Sequence, residues 1–343
     1  MDWNGVPDSA QNRLSVSVWH DIVESDTSNA SGNLPTNDSG TKPGDIVTIW
    51  LNSDPSKPQI VNFTQRNLVS AIGALITTLP ARQRLSAADL VLPASSFSES
   101  YVLCQTLAAL YTHASLAITS VASPGVDLSI ATRSIAPTVV IASAETLTSL
   151  HEKEAAAIRG IFGRYGKSTQ SSTLSTGRMP TGKGLLFRFL APSASALGNK
   201  PGRLRLILTS DRIGCDTPPL TSSMLSDLRI FTRARICYAL TAAQVCGAVA
   251  QTNVFDYRTN SEQGERERVP GQSEGQAWGQ GRSHFGTPLS CVEVKLANKR
   301  DPDVAGNEPE GEIVVSGPAV SGGESVGLGV KGRFREDGTL QLL

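Results

Sequence analysis

Aromatic residues are scarce, at 5% of the 343 residues, which argues against a surface built to stack nucleobases. Neither sign of charge is in excess, since 31 Lys and Arg balance 31 Asp and Glu. The chain as a whole therefore has no pull toward nucleic acid or anionic lipid. Charged residues reach only 18% and hydrophobic residues 39%, alongside 31 Gly and 19 Pro. That composition predicts an ordered core carrying long polar inserts. No apolar run reaches the roughly 20 residues that span a bilayer. The start, Met1-Asp2-Trp3-Asn4-Gly5, has neither a signal-peptide nor a transit-peptide pattern. Cysteines are few and odd in number, with no CxxC pair: Cys104, Cys215, Cys237, Cys246 and Cys291. Most sit in apolar runs and read as buried, reduced thiols of an intracellular protein. The expected location is the cytoplasm, or the periphery of an intracellular membrane. The length allows one large domain or two smaller ones.

The most informative stretch runs from Ile46 to Leu79. Ile46-Val47-Thr48-Ile49-Trp50-Leu51 is apolar and β-branched, and reads as a buried strand. The polar loop after it holds Asp54, Pro55, Ser56 and Pro58, which is turn chemistry. Leu68, Ile72, Leu75, Ile76 and Leu79 then fall at helical spacing, and Pro80 ends the run. Strand, loop, helix is the layout on which nucleotide enzymes build a phosphate cradle. Such a cradle needs glycines so that backbone N–H groups can approach an anion, and this loop has none.

Strands are expected at Asp89–Pro93, Ser115–Val121, Thr138–Ala142, Leu204–Thr209 and Ala234–Tyr238. Helices are expected between them: Tyr101–Tyr111, with Val102, Leu103, Leu107 and Leu110 on its apolar side, then Asp127–Ser134, Ala144–Gly163 and Thr221–Phe231. This alternation predicts an α/β fold with a mostly parallel sheet flanked by helices. Short strands at Val292–Leu296 and Gly311–Val315, and a hairpin turn at Asp337-Gly338, predict a small β-rich C-terminal subdomain. The expected organisation is a flexible segment over 1–44, an α/β body over 45–284 and the β-rich part over 285–343. Polar inserts are expected near 166–183 and 262–283.

Several local patterns invite a functional reading and do not sustain it. Gly177 to Gly184 nearly matches a Walker A loop, but Gly184 stands where the magnesium-binding hydroxyl belongs, and a polar stretch precedes it rather than a strand. His20, His113, His151 and His284 are scattered, without zinc-binding spacing. Ser95, Ser96 and Ser98 lack a GxSxG elbow.

An ordered set of segments carries more. Phe63-Thr64-Gln65-Arg66-Asn67-Leu68 opens the helix after the loop, and Asp89-Leu90-Val91-Leu92-Pro93 follows. Arg205-Leu206-Ile207-Leu208-Thr209-Ser210 and Ile236-Cys237-Tyr238-Ala239-Leu240-Thr241 come next. Phe285-Gly286-Thr287-Pro288-Leu289 and a Glu-Pro-Glu-Gly-Glu-Ile run from Glu308 leading into Ser316-Gly317-Pro318 close the set. In this order they resemble the AMP-binding, adenylate-forming superfamily, nearest in flavour to its long-chain acyl-CoA synthetase-like branch. The resemblance spans roughly residues 45 to 340, less the inserts.

The resemblance implies use of ATP and magnesium to activate a carboxylate such as a fatty acid, with transfer to the thiol of CoA. It places nucleotide contacts on Ser53 and Thr64 around the phosphate loop, and on Tyr238 and Thr241 in the motif that packs on adenine and holds the α-phosphate. It also shows what is missing. Gln59 stands where the phosphate lysine is expected, and Lys57 sits two positions early. Asp54 puts negative charge where phosphate would lie. Ser96 replaces a histidine, Ser210-Asp211 a glycine pair, Ala239 a glycine and Ala242 the magnesium glutamate. Residues 329–334 offer no aspartate for the ribose, and no lid with its catalytic lysine is expected within these residues. Losing charge-assisted phosphate contacts and a metal ligand costs several kcal/mol, and each ~1.4 kcal/mol is tenfold in rate. The expectation is a catalytically degenerate domain, a pseudoenzyme acting as an interaction module or as a sensor of a lipid or nucleotide. It would take an acyl ligand or a protein partner, with a remnant acyl groove along the helix from Asn67 to Leu79. The alternatives are a working acid-thiol ligase with Lys57 as the phosphate cation, and a truncated product with no role of its own.

Overall fold

The computed structural model describes residues 44–50, 58–119, 122–158, 160–180, 197, 203–215, 219–257, 283–297 and 309–343. The segments 1–43 and 258–282 and the loop 51–57 lie outside the described residues, and with them the expected N-terminal segment and the second insert.

Ile46–Trp50 (β1) and Gln59–Phe63 (β2) form an antiparallel hairpin, with Ile46 opposite Phe63 and Trp50 opposite Gln59. This corrects the expectation of a buried strand. Val47 and Ile49 are each 62% exposed, and only alternate residues of the hairpin face the core. An unbroken β-branched run is compatible with either arrangement, because periodicity is silent when both faces are apolar.

Gln65–Thr78 (α1) follows directly. Its N-cap is a reciprocal pair: the Asn67 backbone N–H donates to the Thr64 hydroxyl at 3.3 Å, and the Thr64 N–H donates to Asn67 Oδ1 at 2.8 Å. Such a box satisfies two otherwise orphaned donors. Leu68, Ala71, Ala74 and Leu75 face the core. Asn67 Nδ2 reaches across to donate to the carbonyls of Pro318 and Val320, tying the helix to the C-terminal part of the chain.

Leu90–Pro93 (β3), Ser115–Leu116 (β4), Val139–Ser143 (β5), Leu206–Arg212 (β6), Arg235–Thr241 (β7), Ala250–Gln251 (β8) and Thr287–Pro288 (β9) build a seven-stranded sheet in the order β4-β3-β5-β6-β7-β8-β9. All pairings from β4 to β7 are parallel, and β8 and β9 add antiparallel edges. The central strands β5, β6 and β7 are buried nearly end to end, as expected of parallel strands covered on both faces. The expected strand from Ser115 is only two residues long, ending at Leu116.

Helices Ser100–Tyr111 (α2), Leu128–Ala131 (α3), Ala144–Ala157 (α4), Gly160–Ser175 (α5) and Ser222–Thr232 (α6) complete the layers. In α2 the core face is Tyr101, Val102, Cys104, Ala108 and Ala109, not the leucine side expected; Leu110 is 52% exposed. The expected insert is likewise corrected over its first half. Residues 166–175 are the C-terminal half of α5, where Leu174 packs with Ile230, Phe231 and Tyr257. Lys167 donates to Asp227 at 2.6 Å, also on α6. Packing and this ion pair hold a Ser/Thr/Gly-rich helix that its own propensity would not.

Glu293–Ala297 (β10), Glu310–Ser316 (β11), Val326–Phe334 (β12) and Leu340–Leu342 (β13) form a four-stranded antiparallel sheet. The hairpin over Asp337-Gly338 is present, with Gly338 at φ 73°. Its apolar side, Ile313, Val315 and Leu340, belongs to the same core as β5, β6 and β7. The fold class read from the sequence, a mostly parallel α/β body with a small β-rich C-terminal part, is the one observed.

Candidate functional site

Open parallel sheets collect ligands beyond the carboxyl ends of their strands. Here β6 and β7 end side by side, with Asp211 opposite Leu240 and Arg212 opposite Thr241. The chain then turns at Ile213-Gly214 after β6 and at Ala242-Ala243-Gln244 after β7. These turns, with Trp50 and Gln59 of the hairpin and residues 327–330 of β12, enclose a cavity of about 390 Å³. The positions that face each other are the ones that matter for the resemblance. By the resemblance alone, Gln59 is expected where a phosphate lysine would stand, Ala242 where a magnesium glutamate would, and Gly329 at the start of the stretch for a ribose aspartate; all three line this recess. Residues as far apart in sequence as Trp50 and Val330 thus meet at one recess.

No acidic or basic side chain lines this recess among the described residues. Its polar groups are the amides of Gln59 and Gln244 and the indole of Trp50. The Arg212 guanidinium lies over the Trp50 ring, 4.3 Å from its centroid, a cation–π contact that holds the ring in place. Burial pushes the Glu99 carboxyl up, and the positive charge of Arg212 works against that shift. Sequence reading passed over this Trp50–Arg212–Glu99 set, because only the strand ends bring it together. The signal available was an arginine at the last position of a buried strand.

Among the expected site residues, Ser53 and Lys57 lie outside the described residues. Thr64 is the N-cap of α1. Tyr238 is fully buried in β7. Its hydroxyl donates to Asp211 Oδ2 at 2.9 Å and accepts the Leu220 N–H at 3.2 Å, and its ring packs 4.7 Å from that of Phe285. The Thr241 hydroxyl donates to the Asp211 carbonyl at 2.9 Å, locking β7 to β6 just before the cavity. Tyr238 is thus bonded and packed within the core. Tyr238→Phe is expected to lower stability by about 1–3 kcal/mol, since it strips a buried donor and acceptor of their partner. Urea unfolding measures this, and an unchanged midpoint would contradict it.

Along the helix from which an acyl groove was expected, Leu68, Ala71, Ala74 and Leu75 are buried in the core. A Cβ on Gly247 would meet Ala71 Cβ at 3.2 Å, so that approach is already close-packed. The Walker-like run follows the C-terminus of α5 rather than a strand, and its second half, from residue 181, lies outside the described residues. Cys104, Cys237, Cys246 and Cys291 are buried free thiols, and Cys215 is half-buried. Burial pushes the Cys237 thiol up to about 12, which leaves it unreactive. Among the described residues, no group of three or more His, Cys, Asp or Glu is arranged to hold a metal.

Comparison by sequence finds no matching family model and no matching curated protein. Comparison of structures does find likeness. O-succinylbenzoate coenzyme A synthetase (MenE) from Bacillus subtilis, in complex with ATP and magnesium ion, matches with a TM-score of 0.53 and 15% identity, over 87% of this chain and 49% of that one. The N-terminal domain of FACL13 from Mycobacterium tuberculosis matches with a TM-score of 0.55 and 12% identity, over 94% of this chain and 66% of that one. The fold is that of the adenylate-forming enzymes. A protein from Rhodopseudomonas palustris assigned as a long-chain-fatty-acid CoA ligase also matches, with a TM-score of 0.50 and 17% identity, over 87% of this chain and 58% of that one. This chain spans about half to two-thirds of the length of the solved structures it matches. At these identities the likeness is one of fold alone.

Proposed function

We propose that this chain is an adenylate-forming-like domain that has lost adenylation chemistry and acts as an interaction or ligand-sensing module. The observation that carries the reading is that no charged side chain lines the cavity at the ends of β6 and β7 among the described residues. Adenylation concentrates negative charge on phosphate, so catalysis needs cations or a metal aimed at it. The described residues do not fit a magnesium triphosphate: Ala242 presents a methyl group and Gln59 a neutral amide at the cavity. A ligand held here would rest on the Trp50 ring, two amides and backbone N–H groups. Those contacts suit an acyl or nucleoside group better than a polyphosphate.

Calorimetric titration with ATP and magnesium, followed by an assay for AMP release with palmitate and CoA, tests this. The expected result is no AMP release and no magnesium dependence of any nucleotide binding. AMP release would overturn the reading in favour of the alternative, an active acid-thiol ligase. No helix among the described residues is long and apolar enough to cross a membrane.

A further inference from the structure

A second cavity, of about 560 Å³, lies at the other end of the same sheet, where β3, β5, β6 and β7 begin. Five arginines line it. Arg82 and Arg84 come from the turn after α1, Arg203 and Arg205 from the approach to β6, and Arg235 is the first residue of β7. Asp89 is the one carboxylate in the lining among the described residues.

That carboxylate is committed. Arg205 Nε donates to Asp89 Oδ1 and Arg205 Nη2 to Asp89 Oδ2, each at 2.8 Å. The remaining donors of Arg205 reach the carbonyls of Gln83 at 3.1 Å and Arg84 at 3.2 Å. Arg205 is thus scaffold, fastening the arginine-bearing turn to the start of β6. Arg84 Nε is partly used, on the Leu79 carbonyl at 3.3 Å. Arg82, Arg203 and Arg235 have no carboxylate partner among the described residues. Arg235 Nε is buried without a hydrogen-bond partner, and its guanidinium lies 5.4 Å from the centroid of the Phe255 ring. Subtracting one carboxylate from five arginines leaves an excess of four positive charges among the described residues that line this hollow.

Like charges gathered this closely repel, and an ordinary surface would disperse them. Among the described residues, every cation in the lining is an arginine and none is a lysine. The planar guanidinium fork is the group that engages phosphate oxygens two at a time. The volume falls within the about 300–1,000 Å³ usual for small-molecule pockets. The chain's net charge is zero, so the charge is local, gathered in one shallow hollow at the strand starts. We propose that this cavity binds a polyphosphorylated group, at a site separate from the neutral recess at the opposite strand ends.

Two sources could supply that group: a soluble polyphosphate-bearing solute or the headgroup of a phosphoinositide. Titration of the full chain with inorganic tripolyphosphate probes the first. Co-sedimentation with phosphatidylcholine vesicles, with and without phosphatidylinositol 4,5-bisphosphate, probes the second. The test variant is Arg82→Ala/Arg203→Ala, two exposed residues whose loss leaves the Asp89–Arg205 scaffold intact. The control is Arg164→Ala/Arg178→Ala, exposed arginines on α5 and just beyond it. At near-physiological salt, binding should weaken about tenfold per guanidinium removed, hence about a hundredfold in the test variant, and hold in the control. Loss of tripolyphosphate binding identifies a soluble ligand, and loss of vesicle binding alone identifies a headgroup. If neither probe binds the parent chain, or if both variants weaken binding equally, the site does not exist. The AMP-release assay reads the other cavity, so either conclusion can fail without the other.

Discussion

Gly286→Ala is expected to destabilise the fold by about 2–5 kcal/mol, combining a left-handed backbone with overpacking. Gly286 has φ 76°, and a Cβ there would lie 2.3 Å from the Gln251 carbonyl oxygen and 2.6 Å from Thr252 Cα. Both atoms are backbone, so no side chain can swing away to relieve the clash. Relief requires moving β9 off β8, where Gln251 pairs with Thr287 and Ala250 with Pro288. The movement would not stop there. The Gly286 carbonyl accepts the Leu340 N–H at 2.7 Å, and the Phe285 N–H donates to the Leu340 carbonyl at 2.8 Å. Gly286 therefore sits where the seven-stranded sheet is pinned to the small antiparallel one. Gly338→Ala is the internal comparison. It shares the left-handed backbone, at φ 73°, but nothing lies within 4 Å of its Cβ position, so it should cost only about 1–2 kcal/mol. Guanidinium unfolding of both variants checks the difference. Equal losses would mean that the close approach to Gln251 contributes nothing.

The strands of the large sheet were legible because burial on both faces leaves an unbroken apolar run. Val139 to Ser143 and Leu206 to Ser210 can hardly be read otherwise. The same logic misread β1, whose run from Ile46 to Trp50 is apolar on both faces although only one is covered. It also passed over β12, where Gly327, Gly329 and Gly332 interrupt the pattern. One of those glycines is demanded by packing, since a Cβ on Gly332 would lie 2.7 Å from Ile313 Cδ1 and 2.9 Å from the Gln341 carbonyl oxygen. A glycine required by tight sheet packing looks in sequence like one required by a loop. The neutral recess was partly legible. The order of the motifs placed Gln59, Ala242 and residues 329–334 in related roles, and the fold gathers Gln59, Ala242, Gly329 and Val330 around one cavity. The arginine cavity was not legible. Its residues run from Arg82 to Arg235, and only parallel pairing brings the starts of distant strands to one end of a sheet.

The ion pair beneath that cavity should show the second large effect. Asp89→Ala is expected to cost about 3–5 kcal/mol, because it strands a partly buried arginine and removes hydrogen bonds with it. Asp89 is only 5% exposed. Besides both arms of Arg205, it accepts the Thr138 hydroxyl at 2.8 Å and the Ser86 N–H at 3.0 Å. Thr138 in turn accepts the Leu90 N–H at 3.0 Å. One carboxylate thus joins the starts of β3, β5 and β6 to the turn after α1. Burial alone would raise its pKa, but the bonds from Arg205, Thr138 and Ser86 outweigh that and hold it below the ordinary carboxylate value. The unfolded chain binds this proton near pH 4, the unperturbed value being about 3.9. The folded chain takes it up only at lower pH. The pair's contribution is therefore complete above about pH 4 and is lost as the pH falls through the folded-state value. Urea unfolding at pH 7 and at successive points below pH 4 separates this group from the rest. The parent should lose stability more steeply with acid than Asp89→Ala, which no longer has that carboxylate to protonate. Parallel acid limbs for the two proteins would mean that Asp89 carries no such linkage, whatever the substitution costs at neutral pH.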